Sequence, residues 1–366
     1  MLTRLFVDNF QCFAAFEYKP ERKHLLLGPN DSGKSSLLNV IRDLKQFVKS
    51  DKNPFTQSTR TRWQDLPLQI FEVDALLDGQ KYEYRVEIRF AAETRRMSVN
   101  LERLKVSGAT VFELANGEIR FFPNNSNEAT AIPVETARSA LHLSQLSNSH
   151  VRRFVEWMRS VHCIRIDAYP SAMDESADKE DREPDDELEN LAGWYRHLVQ
   201  AYPEENVRFL ASAKEALTGF QALRFSSDED GTRRLRAEFA SPNGGRRVNY
   251  AISELSEGQR CLLALYMILH FLIEKGHTVF IDEPDNFIAL REIQPWLLAA
   301  EEAVENHGGQ LILISHHPEI LNQWAQTNGL RFFREDNGYV RTEKFAADPN
   351  GYLQPAELIA RGWEGE

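Results

Sequence analysis

The residues best suited to chemistry lie in a glycine-rich segment, GPNDSGKSS at 28–36. The segment matches the pattern G-x-x-x-x-G-K-[ST], whose fixed positions are filled by Gly28, Gly33, Lys34 and Ser35. Backbone N–H groups of such a loop converge on phosphate oxygens, and the glycines let the backbone approach the phosphates closely. The positive end of the helix that follows adds to this attraction. The segment therefore predicts a site for the phosphates of ATP.

Within this loop, Lys34 should reach the β- and γ-phosphates, and the Ser35 hydroxyl should ligate Mg²⁺. The other polar positions in the predicted nucleotide-binding set are Asn30, Ser32 and Ser36.

A pair of carboxylates follows an apolar run in TVFIDEP at 278–284. The run predicts a buried strand that ends at Asp282, which could hold Mg²⁺ through water. Glu283 could then polarise the attacking water, because catalysis of phosphoryl transfer depends on positioning and charge. We therefore expect an ATPase in which Glu283 is catalytic.

A second anion site is indicated by ELSEGQR at 254–260, which opens an apolar helix. Ser256, Gly258 and Gln259 would lie at its N-terminus, where a hydroxyl and free N–H groups bind anions. An ordinary helix cap would use the same residue types. The position of this segment before the Asp282–Glu283 pair favours an anion site instead.

A second apolar strand is expected in LILISHHPEI at 311–320, and it ends at Ser315-His316. At the end of a parallel strand, His316 could contact the γ-phosphate and the attacking water. We assign it a catalytic role and assign none to His317.

These residues need a mixed α/β scaffold to position them. The pattern predicts strands in 1–27 and a helix over 34–48. Alternation in KYEYRVEIRF (81–90), with turn signals on either side, predicts an antiparallel meander over 68–121. Strands at 278–282 and 310–315 alternate with helices, which predicts a parallel sheet.

We divide the chain into an N-terminal lobe (1–133), a mainly helical insertion (134–250) and a C-terminal lobe (251–366). The insertion contains an acidic segment, 174–189, with ten acidic and two basic residues. Like charges repel and few apolar groups are present, so a solvated or mobile loop is expected there.

Composition agrees with a soluble, cytoplasmic protein. The chain has 366 residues, a net charge of −12 and 42% hydrophobic residues. The most apolar stretch, 261–273, is shorter than the roughly 17 to 25 residues that a membrane-spanning helix needs. The cysteines, Cys12, Cys163 and Cys261, are far apart and predict buried thiols.

With these four motifs in order, the chain resembles the ABC-type ATPases of the SMC/RecF group, and in particular the ATPase part of the OLD family. The resemblance implies a P-loop NTPase head that hydrolyses ATP with Mg²⁺ as a homodimer or higher homo-oligomer. In such heads the signature serine of one subunit completes the phosphate site of the other, so Ser256 and Gly258 are implied to act in trans.

The sequence departs from the family pattern at two positions. The aspartate that many ABC proteins carry after the acidic pair is replaced by Ala289. The glutamine that contacts magnesium is not evident, since Gln57, Gln64 and Gln69 all lie in the expected region.

Three roles are compatible with these features. The first is the ATPase subunit of an anti-phage defence or DNA-surveillance system with a separate nuclease or toxin effector. The second is a RecF-like repair mediator. The third is a scaffold or inhibitor that ATP holds closed with little turnover. DNA is a candidate ligand, and no membrane partner is expected.

Overall fold

The computed structural model describes residues 1–50, 53–91, 97–122, 130–133, 137–144, 148–169, 173–227, 232–241, 245–335, 338–348 and 352–362. The chain forms two compact units. Within the described residues, unit 1 comprises Met1–His162 and Asn328–Ala346, and unit 2 comprises Cys163–Thr327 and 347–362. Each unit is therefore discontinuous in sequence, and unit 1 joins the two most distant segments.

The strands are β1 (Leu2–Asp8), β2 (Phe16–Tyr18), β3 (Lys23–Leu27), β4 (Leu68–Leu77), β5 (Gln80–Phe90), β6 (Met97–Val106), β7 (Ala109–Ala115), β8 (Glu118–Phe121), β9 (Thr130–Pro133), β10 (Val161–Arg165), β11 (Phe220–Ser227), β12 (Arg233–Ala240), β13 (Arg247–Ala251), β14 (Thr278–Asp282), β15 (Gln310–Ile314), β16 (Gly329–Arg334) and β17 (Val340–Lys344).

The α-helices are α1 (Lys34–Lys49), α2 (Leu141–Ser144), α3 (Ser149–Arg159), α4 (Leu191–Ala201), α5 (Pro203–Ala216), α6 (Glu257–Phe271), α7 (Leu290–His307), α8 (Pro318–Asn328) and α9 (Pro355–Arg361). Short 3₁₀ turns occur at Gln57–Thr59, Ile252–Glu254 and Ile273–Lys275. Among the described residues, no helix is long and apolar enough to span a membrane.

The predicted meander forms most of an antiparallel sheet in unit 1, with strand order β2-β1-β4-β5-β6-β7-β8-β9. In β5 the alternating residues Tyr82, Tyr84, Val86, Ile88 and Phe90 are all buried, while the residues between them are more exposed. This period of two gives the sheet one apolar face. The prediction for 68–121 is confirmed.

The support for the glycine-rich loop also lies in unit 1. Strand β3 precedes the loop and pairs in parallel with β16, which pairs in antiparallel register with β17. Helix α1 follows the loop and buries its apolar side chains at helical spacing, namely Leu37, Leu38, Val40, Ile41, Leu44, Phe47 and Val48. The strand and helix predicted on either side of the loop are both confirmed.

In unit 2, the predicted alternation of helices and strands after residue 257 is also confirmed. Strands β14 and β15 pair in parallel, from Thr278 opposite Gln310 to Asp282 opposite Ile314. Helix α6 is buried on all sides beyond its first turn, as its continuous apolar sequence requires. The two strands therefore end side by side.

The region 134–250 contains helices α2 to α5 but also strands that the sequence analysis did not predict. Strands β11, β12 and β13 form an antiparallel sheet. One face of β12 is apolar and contains Leu235, Ala237 and Phe239. This is the same alternation of apolar and charged residues as in β5, but it extends over only three apolar positions.

Most residues of the acidic segment 174–189 are exposed or half-buried, as expected of a solvated loop, but part of the segment is bound to β12. Its backbone bonds to β12, because Leu235 N–H donates to Glu175 O and Ala177 N–H donates to Arg233 O. The Glu175 carboxylate lies 3.2 Å from the Arg234 guanidinium. An arginine distant in sequence thus offsets the charge of Glu175, which a count of charges within the segment could not reveal.

A buried carboxyl group ties the meander of unit 1 to the residues before α2. The side chain of Glu102 on β6 accepts hydrogen bonds from Tyr84 Oη at 2.8 Å, Ser139 Oγ at 2.5 Å and Ala140 N–H at 2.7 Å. Burial raises the pKa of Glu102 to about 7, although these hydrogen bonds act to lower it. The group therefore binds its proton more tightly in the folded protein than in the unfolded chain.

A raised carboxyl pKa lowers stability as pH increases, because the unfolded state loses its proton first. The free energy of unfolding should therefore decrease between about pH 4.5 and pH 7, by on the order of 3 kcal/mol from this group. Glu102→Gln should remove that decrease. Urea unfolding at several pH values in this range measures it.

The matched control is Glu118→Gln on β8 of the same sheet, whose carboxylate is partly exposed beside Arg120. This variant should keep the pH dependence of the native protein. Equal slopes for Glu102→Gln and the native protein would contradict the assignment.

Candidate functional site

The glycine-rich loop adopts a backbone that only glycine fits at two positions. Gly28 has φ of 132°, and a Cβ there would lie 2.2 Å from Phe332 O on β16. Gly33 has φ of 109°, and a Cβ there would lie 3.1 Å from Val340 and 3.3 Å from Cys12. A larger residue would strain the backbone at either position, and at Gly28 it would also collide with the backbone of β16. The loop is therefore pressed against β16 and β17.

Lys34 is the first residue of α1, and its ammonium group lies over the loop. Its Nζ donates hydrogen bonds to Gly28 O at 2.5 Å and Pro29 O at 3.0 Å. Ser32 Oγ lies 3.4 Å from the same nitrogen. The positive charge is thus held where the loop and the N-terminus of α1 meet, which is the arrangement that attracts a phosphate.

The other predicted residues of the loop differ in exposure. Asn30 and Ser35 are exposed, Ser36 is half-buried and Ser32 is buried. The structure therefore brings the predicted phosphate-binding residues of 28–36 together in unit 1. Their individual roles toward ATP and Mg²⁺ stay predictions.

Arg334 is a residue of this site that the sequence analysis missed. From the end of β16, its Nε donates to Asp31 O at 2.8 Å and its Nη1 to Gly338 O at 3.2 Å. Asp31 has a left-handed backbone with φ of 64° at the tip of the loop. Arg334 and Asp31 are 303 residues apart in sequence, so no local signal could have joined them.

The structure narrows the choice among the three candidate glutamines. Gln69 is fully buried; its Nε2 donates to Asn9 O at 2.8 Å, and its Oε1 accepts from Thr59 Oγ1 at 3.3 Å. Since both ends of this amide are engaged in the core, Gln69 is not suited to bind a magnesium ion. Gln57 is exposed and Gln64 is half-buried, and both stay candidates.

In unit 2, the acidic pair lies at the end of β14. Asp282 is the last residue of the strand and is half-buried. Glu283 has a left-handed backbone with φ of 52°, and its N–H donates to Ile314 O on β15 at 2.8 Å. Its Oε2 accepts a hydrogen bond from Asn286 Nδ2 at 2.7 Å. The carboxylate of Glu283 is therefore oriented by a residue three positions later.

The end of β15 is tied to the same turn. Ser315 Oγ donates to Asp285 Oδ1 at 2.6 Å and accepts from His317 N–H at 3.0 Å. Burial raises the pKa of Asp285, although the bond from Ser315 acts to lower it. The sequence analysis missed Asp285, because a third carboxylate after Asp282 and Glu283 has no distinctive pattern.

The two histidines after Ser315 have different environments. His316 is exposed at the end of β15, which suits its predicted catalytic role. His317 Nδ1 accepts a hydrogen bond from Glu319 N–H at 3.3 Å in the first turn of α8. His317 thus satisfies a backbone donor at a helix start, which is a structural role.

The start of α6 forms a reciprocal cap. Ser256 Oγ accepts from Gln259 N–H at 3.3 Å, and Gln259 Oε1 accepts from Ser256 N–H at 2.9 Å. A Cβ on Gly258 would lie 2.8 Å from Phe287 O, so glycine allows this backbone contact. Both side chains therefore take part in the cap, and Ser256 is exposed to solvent.

A cavity of about 490 Å³ opens at this helix start. Its walls come from the end of α5, the first turn of α6 and the residues around the start of α7, and they include Thr218, Ser256, Gly258, Phe287 and Glu292. Ala289 is the N-cap of α7, and its N–H bonds to Glu292 Oε2 at 3.4 Å. The position where the family pattern has an aspartate thus lines this cavity.

Lys34→Ala should lower the affinity for ATP by at least about tenfold, because it removes the charge nearest the β- and γ-phosphates. Titration of a fluorescent ATP analogue with Mg²⁺ measures the affinity. Lys49→Ala, at the exposed end of the same helix, is the matched control and should bind normally. Affinity of Lys34→Ala within twofold of the native protein would show that the phosphate site has been misplaced.

Solved structures with a similar fold include crystal structures of SMC heads. One, the SMC head bound to the C-winged helix domain of ScpA, aligns with a TM-score of 0.57 at 11% identity over 93% of this chain and 97% of that chain. Another is the SMC head with an extended coiled coil, bound to the C-terminal domain of ScpA derived from Pyrococcus furiosus. It aligns with a TM-score of 0.54 at 10% identity over 93% of this chain and 95% of that chain. These alignments show the fold of an ABC-type ATPase head.

A comparison with curated proteins found no match. The sequence model of the family described as "AAA domain, putative AbiEii toxin, Type IV TA system" matches residues 23–322. That range is most of the chain and contains all four motifs. The chain therefore belongs to this AAA-domain family and has the P-loop fold of SMC heads.

Proposed function

We propose that this protein binds ATP with Mg²⁺, hydrolyses it, and works as a dimer closed around the nucleotides. The observation that carries the proposal is the phosphate loop, in which Gly28 and Gly33 permit a backbone that places Lys34 at the start of α1. A convergence of loop N–H groups, a helix N-terminus and an ammonium group suits a polyphosphate. Membership of the AAA-domain family supports the same ligand.

The hydrolytic step is assigned to groups at the ends of β14 and β15. Glu283 orients and polarises the attacking water, and Asn286 holds its carboxylate. His316 would contact the γ-phosphate. Ser35 and Asp282 are the residues that would ligate Mg²⁺, whose charge would offset that of the phosphate oxygens.

Dimerisation follows from the second anion site. The exposed Ser256 hydroxyl lies at the N-terminus of α6, a helix of 15 residues whose dipole favours an anion. We propose that this site receives the phosphates of ATP bound by a second copy, so that Ser256 and Gly258 act in trans. With Ala289 in place of the usual aspartate, the adjoining dimer loop makes different contacts.

For the biological role, we propose the ATPase subunit of an anti-phage defence or DNA-surveillance system acting in the cytoplasm with a separate nuclease or toxin effector. The family's description, which names a toxin and a toxin–antitoxin system, supports this role. A RecF-like mediator is the alternative that the SMC-type fold supports. An ATP-stabilised scaffold is the alternative in which turnover is unimportant, and the turnover rate distinguishes it.

Glu283→Gln should retain ATP binding and lose most hydrolysis, because the amide keeps the size of the side chain but cannot polarise water as the carboxylate does. Bound ATP should then accumulate in dimers, visible by light scattering after size-exclusion chromatography. Glu302→Gln, exposed on α7, is the control and should hydrolyse normally. Normal turnover by Glu283→Gln would exclude Glu283 as the catalytic carboxylate.

Action in trans can be tested by mixing two inactive variants. Ser256→Arg should block the second anion site, whereas Lys34→Ala should disable the phosphate loop. A mixed dimer contains one doubly disabled site and one intact site, so ATPase activity should return on mixing. The absence of recovery, once mixed dimers are demonstrated by differential tagging, would contradict independent sites acting in trans.

A further inference from the structure

The turn after β14 contacts both groups that are assigned to hydrolysis. Asn286 bonds directly to the Glu283 carboxylate, at 2.7 Å. Asp285, the preceding residue, instead bonds at 2.6 Å to Ser315, which directly precedes His316. Two consecutive residues of one turn thus reach toward the two catalytic side chains by different routes.

We infer that Asp285 is a positioning residue that fixes His316 through Ser315. The inference rests on the proposed ATP hydrolysis. Asp285 does not contact the nucleotide in this proposal, and its carboxylate affects hydrolysis only through His316.

The directions of the hydrogen bonds support this role. The His317 N–H can only donate, so Ser315 Oγ must accept from it. The Ser315 hydroxyl proton is then donated to Asp285. Ser315 itself is fully buried. The residues on both sides of His316 are therefore fixed, while the His316 ring stays exposed.

The next turn of chain restrains the loop from the other side. His317 accepts the N–H of Glu319 and so joins the loop to the first turn of α8. Only the His316 side chain projects from a backbone that is held at Ser315 and His317. A catalytic group gains most from such restraint, because small displacements of a reacting group cost large factors in rate.

Burying the charge of Asp285 in a half-buried turn costs free energy, and the carboxylate accepts a hydrogen bond from only one hydroxyl, that of Ser315. Burial raises the pKa of Asp285, which shows that the surroundings disfavour its charge. A hydrogen bond to a charged acceptor is shorter and stronger than one to a neutral acceptor. The bond to Asp285 restrains Ser315, and because Ser315 directly precedes His316, it also restrains the position of His316.

The test is a double-mutant cycle on the ATPase rate at saturating ATP. Asp285→Ala should lower kcat by about tenfold with little change in KM, because positioning and not binding is lost. Asp285→Asn keeps an acceptor for Ser315 and should stay within about threefold of the native kcat. In a His316→Ala background, Asp285→Ala should have no further effect.

Asn286→Ala is the matched control from the same turn. It should act through Glu283 and therefore independently of Asp285. In the double variant, the two reductions of kcat should multiply. Multiplication of the Asp285→Ala and His316→Ala effects would overturn the inference, as would equal losses in Asp285→Ala and Asp285→Asn.

A second measurement does not depend on ATPase activity. Hydrogen exchange at the His317 N–H should be at least about tenfold faster in Asp285→Ala than in the native protein, and near native in Asp285→Asn. Unchanged exchange in Asp285→Ala would overturn the positioning role. A native protein without ATPase activity would instead refute the proposed function, so the two failures are distinguishable.

Discussion

The register between β14 and β15 is the constraint on which the groups assigned to hydrolysis in unit 2 depend. Asp282 lies opposite Ile314, and the ladder continues one residue further through the bond from Glu283 N–H to Ile314 O. The carboxylate pair and the Ser315-His316 pair therefore leave the sheet at the same level. A slip of one residue would turn every side chain of a strand to the other face and separate Asp285 from Ser315. The apolar interior of both strands opposes such a slip, since Val279, Phe280, Leu311 and Ile312 are fully buried.

The phosphate loop in unit 1 depends on a different constraint, which is the close approach of backbone to backbone. Gly28 lies against Phe332 of β16, a strand that enters the unit from the far end of the chain. Arg334 at the end of that strand then bonds to the tip of the loop. The loop conformation is thus set partly by residues about three hundred positions away. The glycine pattern can therefore be recognised from the local sequence, whereas Arg334, which bonds to the loop, cannot.

The same distinction explains which features the sequence could predict. Motifs that depend on local spacing, such as the loop before α1 and the strand before Asp282, were predicted with the right elements on either side. Features that depend on distant partners were not. The charges of the acidic segment 174–189 predict a solvated or mobile loop, and they give no sign of its hydrogen bonds and ion pair with β12. Gln69 could not be separated from the other glutamines until its buried partners were known.

The turn from Glu283 to Phe287 shows how the protein maintains an unfavourable backbone at this position. Glu283 and Phe287 both have left-handed backbones, with φ of 52° and 69°. Each such residue costs on the order of 1 to 3 kcal/mol, so the surrounding structure must compensate. Compensation comes from contacts at both ends of the turn, because Glu283 N–H extends the ladder of β15 and the Phe287 carbonyl packs against Gly258. Asp285 and Asn286, which lie between the two strained residues, therefore have little freedom to move. The strain and the hydrogen bonds together favour a turn that presents Glu283 in one orientation.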